Sequence, residues 1–196
     1  VATPKTGLGE HLAALAAAGV EPDGVSFVPL AALPLLSLSG VDVTGVLALL
    51  DIGEQQSSVV LLKDGVVCGV RTLDQGHNKE DGGAALFAAL QWTLLTLSED
   101  AARLPTRFFV CGDSAEYALL KQGLERRFEV EVCSLTDFVL PAVAENDRSA
   151  QSAFATCLGM GLREALAGSL MGVNLRCGEF SPRAQDDALR HEWRRL

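Results

Sequence analysis

Residues 46–73 read VLALLDIGEQQSSVVLLKDGVVCGVRTL, and their pattern decides the fold class. Three apolar, β-rich runs at residues 46–50, 58–62 and 66–72 are separated by two polar turns. The second turn, Lys63-Asp64-Gly65, places Asp-Gly between β-branched residues, which is a strong hairpin signal. We therefore expect a three-stranded antiparallel meander. Its first turn, DIGEQQSS, is unusually long and polar.

The segments around this meander predict helices and further strands. A long apolar helix is expected after Gly82-Gly83 up to about Leu97, and β-rich runs at 108–111 and 129–133 flank a helix at 114–127. Strand, helix and strand at this spacing are typical of a parallel βαβ unit. We also expect helices at residues 9–18, 30–38 and 149–170, a short strand at 25–28 and an extended segment at 173–177. The sequence thus predicts an α/β fold.

The composition is that of an ordered, acidic domain. The 196 residues are 48% hydrophobic, and 25 acidic against 16 basic side chains give a net charge of −9. A disordered chain would be less apolar, and a nucleic-acid-binding chain would carry basic clusters. The three longest apolar stretches are not convincing membrane spans, because prolines, Gln91 or the pair Arg163-Glu164 interrupt them.

The cysteines and histidines indicate no metal site. Five cysteines without a C-x-x-C pair favour reduced thiols, the first four of them mostly buried, and the three histidines have no metal-ligand spacing. We expect neither a zinc site nor a disulfide framework. Gly159 and Gly161 lie inside a predicted helix, where we expect them to permit close packing against a neighbouring element.

Asp51 and Gly53, in the first turn of the meander, form a motif that suggests chemistry. Backbone N–H groups of such a turn can bind a phosphate while the aspartate holds a metal-bound water. A plain hairpin with a turn-forming Asp and Gly explains the same residues more simply. The turn by itself leaves both interpretations open.

The order of these motifs resembles the second lobe of the actin-like ATPase superfamily, in which a D-x-G hairpin holds phosphate and a later glycine turn meets the adenosine. Within it the chain looks most like PilM of pilus assembly and the cytoplasmic domain of GspL of type II secretion. The resemblance rests on Leu50-Asp51-Ile52-Gly53 with its hairpin and the run from Arg71 to Gly76, on residues 154–163 (FATCLGMGLR) and on residues 173–180 (VNLRCGEF). It implies an actin-like, ribonuclease-H-like mixed sheet with an antiparallel hairpin meander and flanking helices.

The resemblance implies a nucleotide turn that this sequence has altered. Glu54, Gln55 and Gln56 replace small, donor-rich residues, and Gly112-Asp113 stands where paired glycines are expected. A carboxylate about 4 Å from a phosphate costs on the order of 4 kcal/mol at an effective dielectric near 20. We therefore expect no catalytic residue, no cofactor and no metal, and no ATP hydrolysis. The first lobe, which forms the other wall of the cleft in this superfamily, is expected upstream of Val1. The vestigial turn comprises Asp51, Gly53, Ser57, Ser58, Gly112 and Asp113.

The last motif favours the GspL branch. In PilM systems the asparagine-leucine segment belongs to a separate partner, PilN, whereas in GspL it lies on the same chain. Residues 1–180 are then a GspL-type cytoplasmic domain of actin-like lobes, and residues 181–196 are a polar, Arg-containing juxtamembrane tail. The implied partner-binding and membrane-proximal residues are Asn174, Leu175, Arg176, Gly178, Glu179 and Phe180.

The resemblance implies a non-catalytic scaffold at the cytoplasmic face of the bacterial inner membrane. Such a scaffold binds and positions a secretion ATPase of the GspE type, contacts inner-membrane platform proteins and is compatible with a homodimer. We expect no nucleic acid, and membrane attachment only through a helix that this chain does not include. An open sheet edge or the helix at 115–127 is a natural docking surface for the ATPase.

Two alternatives stay open. One is a PilM-like type IV pilus assembly adaptor. The other is an ATP-binding domain of the actin and sugar-kinase type, in which Asp51 would hold a metal-bound water and Ser57 or Ser58 would lie near phosphate.

Overall fold

The computed structural model describes residues 4–77, 83–97, 104–112, 117–135, 153–165 and 173–182. The chain divides into two compact units. The sheet unit is Val28–Gly172, and the terminal unit consists of Val1–Phe27 together with Val173–Leu196. Asp113, the predicted helix starts at residues 114 and 149, and the tail from residue 183 lie outside the described residues. The predicted boundary between residues 180 and 181 stays a prediction.

The sheet unit is built on a five-stranded mixed sheet with the strand order β3-β2-β1-β4-β5. Its strands are β1 Val46–Ile52, β2 Ser57–Lys63, β3 Val66–Leu73, β4 Arg107–Cys111 and β5 Glu131–Ser134. The pairs β1–β2 and β2–β3 are antiparallel, and the pairs β1–β4 and β4–β5 are parallel. The predicted meander and the predicted βαβ unit are therefore both confirmed.

The turn between β2 and β3 has the conformation that its Asp-Gly sequence predicts. Asp64 has φ 51° and Gly65 has φ 77°, and two positive φ values are the mark of a type I′ turn. The backbone N–H of Asp64 donates to the Gly45 carbonyl at 2.8 Å. The Asp64 carboxylate accepts from the Gly45 N–H at 2.9 Å. Asp64 therefore also ties this turn to the residue that precedes β1.

Successive side chains of a strand point to opposite faces of the sheet, and β1 is buried on both of its faces. On one face, Leu50 and Phe108 belong to a core completed by the helices α4, Ala84–Leu97, and α5, Tyr117–Phe128. Leu47 and Leu49, at the alternate positions of β1, are equally buried. Three further helices lie in the described part of this unit and pack together, namely α2 Val28–Ala31, α3 Leu33–Leu38 and α6 Ala155–Ala165.

Helix α6 approaches α2 closely at Gly159. A Cβ atom at this position would overlap the carbonyl oxygen of Ala31, so the packing role predicted for Gly159 is confirmed. The same prediction for Gly161 is wrong. Gly161 lies on the exposed side of α6, facing away from α2. Among the described residues, nothing lies within 4 Å of a Cβ built there.

The terminal unit contains helix α1, Lys5–Ala17, and a short 3-10 helix, Gly178–Phe180. Helix α1 confirms the predicted helix and begins four residues earlier. The predicted strand at 25–28 is wrong, because Val28 begins helix α2 and Pro29 cannot donate to a strand ladder. The predicted helix at 30–38 is divided instead into α2 and α3, and Pro34 lies in the first turn of α3.

The cysteines are less buried than the sequence suggests. Cys111 is buried and Cys133 is half-buried, but Cys68 and Cys157 are exposed. Cys68 lies on the edge strand β3, next to a register irregularity, and its thiol donates to the Leu61 carbonyl at 3.5 Å. The prediction of mostly buried thiols is therefore wrong for two of the four. In the described part of the chain, no helix has the length and apolar content to cross a membrane.

Candidate functional site

The altered nucleotide turn lies at the carboxyl ends of β1 and β4. Asp51 pairs with Ser58 across the hairpin and with Cys111 on the parallel strand. Gly112 follows Cys111 with φ 108°, and a Cβ there would overlap the carbonyl oxygen of Ile52. The sheet register therefore brings Asp51, Ser58 and the Gly112 backbone together. Asp113 lies outside the described residues.

The two serines of the turn lie on opposite faces of the sheet. Residues directly opposite each other in an antiparallel pair share a face, so Ser58 shares the face of Asp51. Ser57 pairs with Ile52 and Leu73, which belong to the core beneath α4 and α5. The Ser57 hydroxyl is buried without a hydrogen-bond partner among the described residues. Of the two serines, Ser58 is the one that could assist Asp51.

Asp51 is held by a residue that the sequence motifs did not single out. Thr156, in α6, donates its hydroxyl hydrogen bond to the Asp51 carboxylate at 3.0 Å. Burial raises the pKa of Asp51, and the Thr156 hydrogen bond offsets part of that rise. Burial, together with the Asp51 charge, also raises the pKa of the Cys111 thiol. Thr156 lies in the segment 154–163 on which the family resemblance partly rests. The pattern of that segment does not identify Asp51 as the hydrogen-bond partner of Thr156.

The turn itself is closed by its own backbone. The Gly53 N–H donates to the Gln56 carbonyl at 3.0 Å. The Gly53 carbonyl accepts from the backbone N–H of His77 at 3.0 Å and lies 3.0 Å from His77 Nδ1. An imidazole with its proton on Nδ1 completes this contact as a second hydrogen bond. The Gly53 N–H, a donor that a phosphate could otherwise use, is therefore occupied by the Gln56 carbonyl.

The segment that follows β3 lies against the turn. A Cβ at Gly76 would overlap the Glu54 carbonyl, so the two backbones touch. The Gln56 amide donates to the Asp74 carboxylate at 3.4 Å. Glu54 and Asp74 are both exposed and carry negative charge on the turn and on the segment that lies against it. His77 and Gly76 were missed as contacts of the turn, because only the folded register brings them there.

Arg71 lies near the end of the hairpin. Arginine side chains are mostly exposed in folded proteins, which predicts a surface position for this residue. It is exposed, and its guanidinium donates to the Thr96 hydroxyl at 3.0 Å. Among the described residues, no group of three or more His, Cys, Asp or Glu side chains is arranged to hold a metal ion.

Asp51→Asn is expected to raise the melting temperature at pH 7. The folded pKa of Asp51 lies above its unfolded value, so ionising this carboxyl costs stability as the pH rises through the folded pKa. Asparagine keeps an oxygen for Thr156 and carries no charge. The advantage of the variant should shrink as the pH falls below the ordinary pKa of an aspartate, where Asp51 is protonated in both the folded and the unfolded chain. Thermal unfolding followed by circular dichroism at several pH values measures this difference.

Asp42→Asn is the matched control, with the opposite sign. Hydrogen bonds from the Thr44 backbone and hydroxyl lower the pKa of Asp42. Its contribution to stability is therefore present above the unfolded pKa and is lost as the pH falls through the folded pKa. This variant should melt slightly below the wild-type chain at pH 7, with the gap closing in acid. An Asp51→Asn variant that melts below the wild-type chain at pH 7 would contradict the burial argument.

The second candidate site is the segment from Asn174 to Phe180, in the terminal unit. The Asn174 side-chain oxygen accepts from the backbone N–H of Val25 at 3.1 Å and of Arg176 at 2.9 Å. The Leu175 N–H donates to the Val25 carbonyl at 2.8 Å. Arg176 donates to the Pro22 carbonyl at 3.1 Å. The site predicted as partner-binding is thus bound by residues of this same chain.

Ion pairs and an aromatic contact also join the segment 174–180 to the N-terminal part of the terminal unit. The Arg176 side chain is only 8% exposed, and its guanidinium lies 3.3 Å from the Glu21 carboxylate. Glu179 forms an ion pair with Lys5 on helix α1. A Cβ at Gly9 would lie 3.6 Å from the Phe180 ring. We call the bonded set Glu21, Pro22, Val25, Asn174, Leu175 and Arg176 the clasp.

No protein-family model matches this sequence, and no curated protein sequence is significantly similar to it. Solved structures do match. A PilM-PilN type IV pilus biogenesis complex is 22% identical, with a TM-score of 0.60, over 80% of this chain and 57% of that one. The ethanolamine utilization protein EutJ from Carboxydothermus hydrogenoformans is 16% identical, with a TM-score of 0.49, over 82% and 62%. An archaeal actin homologue is 13% identical, with a TM-score of 0.40, over 74% and 54%.

These comparisons bear on the fold. The mixed sheet with its flanking helices is similar in fold to the PilM-PilN structure, in agreement with the α/β mixed sheet that the motif order implied. The chain spans about three fifths of the length of the first two structures that it matches.

Proposed function

We propose that this chain is a non-catalytic scaffold of actin-like fold, in the manner of the GspL cytoplasmic domain of the type II secretion system. It would bind and position a secretion ATPase of the GspE type and contact platform proteins at the cytoplasmic face of the inner membrane. The observation that carries the proposal is the clasp, because the asparagine-leucine segment is bound by this chain's own residues. A PilM-like adaptor would instead receive that segment from a separate partner.

The altered turn supports the non-catalytic part of the proposal. Its Gly53 N–H is bonded to Gln56, and Glu54 and Asp74 contribute negative charge beside it. A phosphate that used the Gly53 N–H would have to displace this bond, and each carboxylate that it approached to about 4 Å would cost on the order of 4 kcal/mol at an effective dielectric near 20. Burial raises the pKa of Asp51 and the bond from Thr156 offsets part of that rise, and a structural carboxyl explains this as well as a catalytic one does.

The experiment that tests the proposal is a calorimetric titration of the 196-residue chain with the N-terminal domain of a type II secretion ATPase from the same organism. We expect saturable binding at micromolar affinity or tighter. The same chain should show no rise in melting temperature with millimolar Mg-ATP. A rise that Asp51→Ala abolishes would instead support the ATP-binding alternative, and absence of ATPase binding would count against the scaffold.

A PilM-like pilus adaptor is the second candidate, favoured by the fold similarity to the PilM-PilN complex. Titration with a separate PilN-type peptide that contains Asn-Leu distinguishes it. The scaffold proposal expects no binding of this peptide, because residues 174–176 already occupy the backbone of residues 21–25. Saturable binding of the peptide would favour the pilus adaptor.

Asn174→Ala is expected to loosen the clasp without unfolding the sheet unit. The variant removes the acceptor for the Val25 and Arg176 N–H groups, and each such bond contributes about 1 kcal/mol. Amide exchange at Val25 should therefore accelerate about 5- to 30-fold, as measured by mass spectrometry or NMR. Asn174→Asp retains the acceptor oxygens and should keep Val25 protected. Unchanged protection in the alanine variant would show that the Asn174 bonds do not hold the clasp.

A further inference from the structure

The outer face of helix α4 exposes a row of apolar side chains. Ala85, Ala88, Trp92 and Leu95 recur at intervals of three and four residues, which places them on one side of a helix. Trp92 is 70% exposed and Leu95 is 48% exposed. The opposite side of α4 is buried in the core of the sheet unit. We call these four exposed residues the α4 stripe.

On each side of the α4 stripe, an arginine is hydrogen-bonded to a side chain of α4. At 100° per residue, Gln91 and Thr96 flank the stripe on opposite sides. Arg127, from α5, donates to the Gln91 side-chain oxygen at 2.8 Å. Arg71, from β3, donates to the Thr96 hydroxyl at 3.0 Å. The apolar row is therefore bordered by two guanidinium groups that come from different elements.

Both arginines retain donors for an anionic partner. A guanidinium has five N–H donors, and the bonds to Gln91 and Thr96 involve neutral oxygens. Within the described ranges of the chain, no carboxylate lies within ion-pair distance of either Arg71 or Arg127. This pairing of cations with an exposed tryptophan stands out in a chain of net charge −9. Tryptophan and arginine are also the residue types that contribute most at protein interfaces.

We propose that the α4 stripe is a docking surface for an amphipathic helix of a partner protein. The apolar side of that helix would cover Trp92 and Leu95, and Asp or Glu residues bordering it would bind Arg71 and Arg127. Charge complementarity selects this acidic partner, because a basic or neutral helix would leave two partly desolvated guanidinium groups without carboxylates. The inference is independent of the scaffold role and holds whether the partner is an ATPase or another protein.

The test is a selection from a displayed helical peptide library against the 196-residue chain. Leucine is fixed at four positions spaced three and four apart, and the flanking positions vary among Glu, Gln and Lys. We expect enrichment of Glu at the flanks and micromolar binding of the selected peptide by fluorescence anisotropy. No enrichment, or enrichment of Gln or Lys, would overturn the proposal.

Variants of the stripe complete the test. Trp92→Ser should weaken binding of the selected peptide at least 10-fold, and Arg71→Gln and Arg127→Gln should each weaken it about 2- to 5-fold. The matched controls are Phe154→Ser, another exposed aromatic on a different segment, and Arg126→Gln, the arginine beside Arg127. Equal losses in the controls would overturn the proposal, as would unchanged binding by Trp92→Ser. Competition by a 12-residue oligothymidylate would also overturn it, in favour of an anionic nucleic acid.

Discussion

Alanine at position 159 is expected to lower the free energy of unfolding by about 3 kcal/mol, at the upper end of what overpacking costs. The new Cβ would overlap the Ala31 carbonyl oxygen, which is a backbone atom and cannot rotate away. Helix α6 would have to move off α2, and the Thr156 bond to Asp51 would stretch with it. Urea unfolding followed by circular dichroism measures the loss.

Gly161→Ala is the matched control on the same helix. Its Cβ would meet open space among the described residues, and alanine in a helix is favoured over glycine by roughly 0.5–1 kcal/mol. This variant should therefore be slightly more stable than the wild-type chain. Two alanines placed two residues apart should change stability in opposite directions. Equal effects would mean that the close approach of α6 to α2 does not govern packing in this unit.

Gly112→Ala is expected to be more damaging still, with a loss of about 4 kcal/mol or more. Two costs combine here: overpacking against the Ile52 backbone, at roughly 1–3 kcal/mol, and a backbone conformation that L-residues rarely adopt, at roughly 1–3 kcal/mol. Gly112 has φ 108°. Since domains of this size are stable by only about 5–15 kcal/mol, the variant should unfold at much lower urea concentration.

Gly40→Ala separates the two costs. Gly40 also has a positive φ, 66°, but nothing described lies within 4 Å of a Cβ built there. Only the conformational cost remains, and we expect a loss of about 1 kcal/mol. If Gly112→Ala were no more damaging than Gly40→Ala, the ends of β1 and β4 would not be in the close contact that defines the turn site.

The local parts of the fold could be predicted because their signals are local. The Asp64-Gly65 turn fixes the β2–β3 hairpin through backbone conformation, and the runs that become β1, β2 and β4 are too apolar to lie anywhere but in a core. The spacing of strand, helix and strand then predicts the parallel pairing of β4 with β5. The predicted strand at 25–28 failed because Pro29, one residue after Val28, favours a helix start.

The candidate sites were predictable as segments but not as contacts. The motif identified Asp51, Ser57 and Ser58, yet only the register of β1 with β2 shows that Ser58 shares the face of Asp51. Thr156 lies 105 positions away from Asp51, and no periodicity in either segment points to the other. The clasp could not be predicted for the same reason, because Asn174 and Val25 are hydrogen-bonded but 149 positions apart in the sequence. Contacts of such sequence separation depend on the whole topology.

The split terminal unit has a consequence for synthesis on the ribosome. Val25 emerges long before Asn174, and at roughly 5–20 residues per second the interval is about 7–30 seconds. All strands of the described sheet lie between these positions, so the sheet unit can complete its core before Asn174 is synthesised. During this interval helix α1 lacks its later partners. It buries no residue, and its leucines are partly exposed. A nascent chain stalled before residue 174 would therefore carry a finished sheet and an unclosed N-terminal segment, the kind of intermediate that holdase chaperones recognise.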